Sequence, residues 1–174
     1  MRKMNIDISH SEVGFKVKHL MISTVRGSFG TVVGFAEGEL DNMTVNVAVD
    51  ATTIDTNDEN RDAHLRGSDF FDVENYPSIN FEAKNVNVHN RAITGKLTIK
   101  GVTKEVTFAL DYNGQGVDPW GTIKHGFEIS GQINRGDFGL TWNAPLQAGG
   151  WLVSDKVDIT IDIQTVEELV KEHN

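Results

Sequence analysis

Apolar and polar positions alternate with a period of two along most of the chain, the pattern of strands dry on one face and wet on the other. In the first such run Val13, Phe15, Val17 and His19 share one face, and Gly14, Lys16 and Lys18 the other. Met43, Val45, Val47 and Val49 alternate with Thr44, Asn46, Ala48 and Asp50. Val106, Phe108 and Leu110 alternate with Thr107, Ala109 and Asp111. Near the end Val157, Ile159, Ile161 and Ile163 alternate with Asp158, Thr160 and Asp162. Further strands are predicted over residues 30–40, 79–88, 91–100 and 122–135, making about eight.

Turn residues separate these runs. Leu40-Asp41-Asn42, His89-Asn90 and Lys100-Gly101 each break a hairpin, and Asn113-Gly114-Gln115-Gly116 opens a longer loop. Short links between successive antiparallel strands imply a meander. Eight such strands close into a barrel because closure removes exposed edges; a two-sheet sandwich is the alternative.

Two segments break the alternation. Thr56-Asn57-Asp58-Glu59 has the form of a capping box, predicting a helix through Asn60, Arg61, Asp62, Ala63, His64 and Leu65 that stops at Gly67. This helix follows the third or fourth strand, so it is expected across one mouth of the barrel. Thr165-Val166-Glu167-Glu168 is a second capping box, predicting a short C-terminal helix that ends near His173. No repeat, linker or shift in composition divides the chain, so residues 1–174 are expected to form a single domain.

Composition narrows the function. Seventeen glycines against three prolines suit an all-β chain with many bends. Sixteen Lys and Arg against 25 Asp and Glu give a net charge of -9, which argues against nucleic acid and against anionic lipid surfaces. The absence of cysteine excludes disulfides, thiolate catalysis and Cys-based metal sites. Met1-Arg2-Lys3-Met4-Asn5-Ile6-Asp7 carries the positive charge of a signal peptide but not the apolar stretch that follows one. With no run of about 18 apolar residues either, no stable membrane insertion is expected, and the location expected is cytoplasmic.

Several blocks together resemble a known family. Ile6-Asp7-Ile8-Ser9-His10-Ser11-Glu12-Val13-Gly14-Phe15-Lys16-Val17-Lys18-His19-Leu20 is similar to the N-terminal signature of the YceI-like family. The resemblance continues through Arg61-Asp62-Ala63-His64-Leu65, Asp69-Phe70-Phe71-Asp72-Val73 and Tyr76-Pro77-Ser78-Ile79-Asn80-Phe81. It resumes over residues 95–104, Gly-Lys-Leu-Thr-Ile-Lys-Gly-Val-Thr-Lys, and at Ile133-Asn134-Arg135-Gly136-Asp137-Phe138-Gly139. This implies an all-β, eight-stranded antiparallel lipocalin-like barrel whose interior binds a long-chain lipid, typically a polyisoprenoid. It implies no catalytic motif. Many relatives carry an export signal, and none is expected from Met1–Asp7 of this sequence.

The residue types agree with such a ligand. An eight-stranded barrel is wide enough either to fill with side chains or to enclose one small molecule. Inward Val, Ile, Leu, Met and Phe admit only an apolar one, and each buried CH₂ is worth roughly 0.8 kcal/mol. The expected ligand contacts are therefore Phe15, Val17, Val45, Val47, Phe108, Ile133, Ile159 and Ile161, together with the aromatics Phe70, Phe71, Phe81 and Phe138. His19 sits at the strand end on the apolar face, either bonding a ligand head group or satisfied within the core. Arg61 and His64, three apart on one helix side, are candidates to meet a polar or anionic head group. Arg135 falls on the inward face with Phe127, Ile129 and Ile133, and is expected to pair with Asp7, Asp69 or Asp137. Trp120, Trp142 and Trp151 fall in or beside loops, where they line the rim or anchor those loops.

Tempting chemistry is set aside. Asp7, His10 and Ser11 suggest a hydrolase triad, but a strand points His10 and Ser11 to opposite faces and no nucleophile elbow is present. The six histidines show no ligand spacing, so neither metal nor cofactor is expected. The expected function is thus to bind and carry a polyisoprenoid, isoprenoid quinone or fatty-acyl lipid. Its rivals are an enzyme acting on such a lipid and a filled barrel serving as a structural or partner-binding domain. A homodimer through unpaired strand surface is a further expectation.

Overall fold

The computed structural model describes residues 2–147 and 152–168. Eleven strand segments form one antiparallel sheet that closes on itself. They are β1 (Lys3–Ile6), β2 (Glu12–His19), β3 (Ser23–Phe29), β4 (Val32–Glu39), β5 (Asn42–Asp50) and β6 (Ile54–Asp55), then β7 (Ser78–Val86), β8 (Ala92–Ile99), β9 (Val102–Val117), β10 (Ile123–Asn134) and β11 (Val153–Glu168). One helix, α1 (Glu59–Arg66), stands between β6 and β7. Among the described residues no helix is long and apolar enough to cross a membrane.

Three of the staves are bent in the middle. The 3-10 turn Ile8–His10 divides β1 from β2, Gly30-Thr31 divides β3 from β4, and the 3-10 turn Ala51–Thr53 divides β5 from β6. Register shows the continuity: β11 pairs with β1 at Ile6↔Thr165 and with β2 at Val13↔Ile161. Counted this way the barrel has eight staves in meander order, as the alternation implied. Turns after β4, β7 and β9 lie at one end, the floor. Those after β2, β8 and β10, with the α1 connection, lie at the other, the mouth.

The extra segments were hidden by weak patterning. β3 reads Ser-Thr-Val-Arg-Gly-Ser-Phe, where only Val25 and Phe29 mark the inward face. Gly27 lies between them because it faces Phe15 across the β2–β3 pair, and a Cβ there would collide with that ring. Gly131 does the same for Phe108, so both glycines make room for inward aromatics.

Three expected local features differ. Asn113–Gly116 is not a loop but the end of the 16-residue β9, and the turn comes at Asp118, whose carboxylate accepts from the Trp120 and Thr122 amides. The helix cap is Asp58, whose side chain accepts from Arg61 N, while α1 does stop at Gly67. Thr165–Glu168 continue β11 instead of opening a helix, because Ile6, Asn5, Met4 and Lys3 pair with them. The rest of that expected helix lies outside the described residues.

Candidate ligand site

Inside the barrel is a cavity of about 600 Å³, within the range of small-molecule sites. β11 contributes lining residues from Val153 to Thr165, which spans roughly 30 Å of barrel axis once strand rise and tilt are allowed for. The space is a tunnel rather than a bowl.

The nominated residues line it, strand by strand. Phe15, Val17 and His19 project from β2, and Val45 and Val47 from β5. Phe81, Phe108, Ile133, Ile159 and Ile161 complete the middle of the wall. Phe70 and Phe71 close in from the segment after α1, and Arg61, His64 and Arg135 stand at the mouth. Phe138 is the exception: it is fully buried in the barrel core behind the wall and does not reach the cavity. It stands in the 3-10 turn Arg135–Phe138 and packs in the same cluster as Phe108, Ile133 and Leu140.

Polar groups of the wall are segregated. Apart from Thr165 near the floor, they gather at the mouth: His19, Thr56, Asp58, Asn60, Arg61, His64, Asn80 and Arg135. Arg61 is held by its neighbour Thr56, its Nε donating to Oγ1 and its Nη2 to the carbonyl, both at 2.8 Å. Thr56 in turn donates its N–H and O–H to the buried Asp62 at 2.9 and 2.5 Å. The threonine expected as a cap thus orients the arginine, and the Nη1 donors of Arg61 engage no protein acceptor among the described residues. His64 Nε2 lies 3.0 Å from Asp69 Oδ2, and its ring meets Phe70 and Trp142 edge-on at 5.1 and 4.7 Å. Trp142 therefore belongs to the rim; Trp120 projects from the far end, and Trp151 lies outside the described residues.

Among the described residues Arg135 has no carboxylate within ion-pairing distance. Its Nε donates to the Ser154 carbonyl at 2.9 Å, and its Nη1 to the Leu140 and Trp142 carbonyls at 2.6 and 2.8 Å. Nη2 donates to Val153 O at 3.3 Å. Burial pushes the guanidinium below its ordinary value, opposed by the charge of Asp155. The expected ion pair with Asp7, Asp69 or Asp137 is replaced by carbonyls of the β10–β11 connection and of the start of β11, which the arginine ties together at the mouth. A planar fork of donors suits that task better than any other side chain.

The floor holds a polar network that the alternation did not reveal. His125, fully buried, faces inward opposite Thr165. Its Nδ1 lies 2.7 Å from Tyr112 Oη and its Nε2 3.0 Å from Glu167 Oε2. Arg2 Nε donates to the other Glu167 oxygen at 2.9 Å. The cluster stands at the floor end, where Met4 pairs with Glu167, and every buried side-chain polar atom is partnered among the described residues. Glu167 could have been found by carrying the β11 alternation two residues past Thr165; the capping-box motif concealed it.

The Asp7, Ser9 and His10 group is local. Asp7 caps the turn by accepting from Ser9 N, and both Ser9 Oγ and Asp7 Oδ2 address the same His10 nitrogen, Nδ1, at 3.0 and 2.9 Å. A triad needs the nucleophile and the acid on opposite ring nitrogens. Ser11 Oγ donates to the Gln164 carbonyl instead. Among the described residues, no three His, Asp or Glu side chains converge as metal ligands.

Comparison with known proteins agrees with this geometry. A UPF0312 protein of Staphylococcus epidermidis is 38% identical over 161 residues, covering 90% of this chain and 93% of that relative. The crystal structure of a Campylobacter jejuni YCEI protein matches with a TM-score of 0.73 and 28% identity, over 87% of this chain and 90% of that one. A polyisoprenoid binding domain from Saccharophagus degradans, implicated in plant cell wall breakdown, shares the fold at a TM-score of 0.73 and 11% identity, over 95% and 98% of the two chains. The model of the YceI-like domain matches residues 4–165, and the chain belongs to that family.

Proposed function

We propose that this barrel binds one long-chain lipid, a polyisoprenoid, isoprenoid quinone or fatty-acyl chain, and carries it as a binding module rather than transforming it. The observation that carries the reading is the long apolar cavity inside the barrel with its polar groups gathered almost wholly at one end. A ligand with a single polar head and an apolar tail matches that distribution: the tail lies along Phe15, Val47, Phe81 and Ile161, and the head meets Arg61, His64 and His19. A compact apolar molecule would leave most of the roughly 30 Å tunnel unfilled. The family membership supports the reading, and the Saccharophagus relative is itself described as polyisoprenoid binding.

An enzyme acting on such a lipid would need an acid or base set against the reacting part of the chain. The titratable groups that reach the lumen, His19, Asp58 and His64, gather at the mouth where a head group would lie, and the inward His125 and Glu167 are bonded to each other at the floor end. A filled barrel does not accord with a 600 Å³ cavity.

The test is native mass spectrometry of the purified protein, followed by organic extraction and identification of the released molecule. One prenyl or acyl lipid per chain is the expected result. A mass that stays unliganded after incubation with quinones, prenyl phosphates and fatty acids would overturn the proposal.

A further inference from the structure

The β2–β3 turn is built against its own folding preferences. Leu20 and Met21 both have positive φ, 55° and 62°, and Ile22 N–H donates back to His19 O. Two successive positive φ values belong to a type I′ turn, for which Asn-Gly is the favoured pair. Packing rewards little of this, for Met21 and Ile22 are 67% and 84% exposed and Leu20 is 39% exposed beside them. Two apolar side chains are held out into solvent, with a third partly exposed, on strained backbone.

Their position is at the mouth. His19, immediately before the turn, lines the cavity, and Leu20 N–H donates to the carbonyl of Leu152, another lining residue, at 2.8 Å. β6 pairs with β3 only at Ser28 and Phe29, so among the described residues the Ser23–Gly27 edge of β3 has no strand beyond it. The barrel wall is thus incomplete beside the tip, between β3 and α1.

Charge is also uneven there. On the outer face of the same hairpin stand Lys16, Lys18 and Arg26, with Lys16 directly opposite Arg26, a pairing unfavourable within a sheet. None of the three has a carboxylate within ion-pairing distance among the described residues; Asp158, in register with Lys16, accepts from Gln132. The other side of the mouth is acidic, with Asp58, Glu59, Asp69, Asp72 and Glu74 on and after α1. In a chain of net charge -9, a basic hairpin with an apolar tip is an exception that calls for an anionic, apolar-cored partner.

We propose that the Leu20–Ile22 tip enters the boundary between head groups and acyl chains of a phospholipid bilayer, while Lys16, Lys18 and Arg26 meet lipid phosphates. This is the arrangement of interfacial proteins, in which a small apolar insertion and basic residues combine to give reversible binding. The acidic residues on and after α1 are repelled, so contact is confined to the hairpin, and the open edge of β3 beside it lies against the membrane. The ligand then passes between bilayer and tunnel without crossing water. The transfer step rests on the proposed lipid-carrying function; the docking does not. The net charge of the whole chain, which suggests avoidance of anionic membranes, is overridden by its local distribution.

The experiment is flotation of the full chain with vesicles of phosphatidylcholine containing one quarter phosphatidylglycerol. The wild-type protein is expected to float, and Met21→Asp with Ile22→Asp to lower the bound fraction at least fivefold. Trp120→Ser, at the opposite end, is expected to change nothing. Leu20→Asn with Met21→Gly installs the favoured turn, and is expected to raise the melting temperature while losing flotation. A turn with a merely structural role would not separate those two readouts. Failure of the wild type to float, flotation of both tip variants at the wild-type level, or loss of flotation in Trp120→Ser would each overturn the docking. Native mass spectrometry on the same samples separates the two proposals: lipid retained by a protein that does not float refutes docking alone, and tip-dependent flotation of a protein that takes up no lipid refutes only the carrying function.

Discussion

His125 and Glu167 face each other inside the barrel, Nε2 to Oε2 at 3.0 Å, although 42 residues separate them in the chain. Between them they join β10 to β11 at the floor, and Glu167 extends the link to Arg2 ahead of β1. Burial by itself would raise the Glu167 carboxyl, but the hydrogen bonds and charges of His125 and Arg2 outweigh it and hold it below its ordinary value.

This sets an acid limit to stability. A carboxyl with a depressed folded pKa stabilises the fold above its unfolded value, near 4.5, and that contribution is lost as pH falls through the folded value. Urea unfolding followed from pH 7 downwards should therefore show stability falling below about pH 4.5. Glu167→Gln should be less stable by about 1–2 kcal/mol at neutral pH and show a flatter acid limb. An unchanged acid limb would refute the assignment.

Arg135→Met keeps most of the side-chain volume but removes the donors to the carbonyls of Leu140, Trp142 and Ser154, while Val153 O keeps Asn143 Nδ2. The expected loss in urea unfolding is about 3 kcal/mol, since unpaired buried acceptors cost more than the bonds themselves were worth. Arg135→Lys should recover only part of it, because a point charge cannot reach carbonyls on several sides.

Gly131→Ala places a methyl group where the Phe108 ring now lies. The ring must turn into the tunnel, so both stability and capacity should fall. Thermal unfolding is expected to report a loss of about 1–3 kcal/mol, and native mass spectrometry a reduced occupancy by long chains but not by shorter ones.

Arg61→Gln tests the head group. It keeps a donor at the mouth but removes the charge, leaving Thr56 and Asp62 bonded to each other. Binding of a prenyl phosphate or fatty acid should weaken about tenfold or more, the scale of one charge-assisted bond, while binding of a neutral quinone changes little. Equal effects on charged and neutral ligands, measured by fluorescence displacement, would show that Arg61 shapes the mouth without reading the head.

What the chain determined alone is the wall. Period-two alternation places Phe15, Val47 and Ile161 on one surface whatever their eventual neighbours, because successive side chains on a strand point to opposite faces. The short turns then leave a meander as the simplest path, and closure follows from the cost of open edges. Only the tertiary structure decided that the barrel is hollow, since an inward row of valines is the same whether a side chain or a ligand lies opposite. It also decided which polar groups meet. Arg135 found carbonyls of its own connection, and Glu167 found Arg2 from the other end of the chain, because an inward charge takes whichever partner closure brings within reach. For the same reason Thr165–Glu168, whose capping motif favours a helix, became strand: β1 supplied a hydrogen-bonded neighbour that no local pattern could announce.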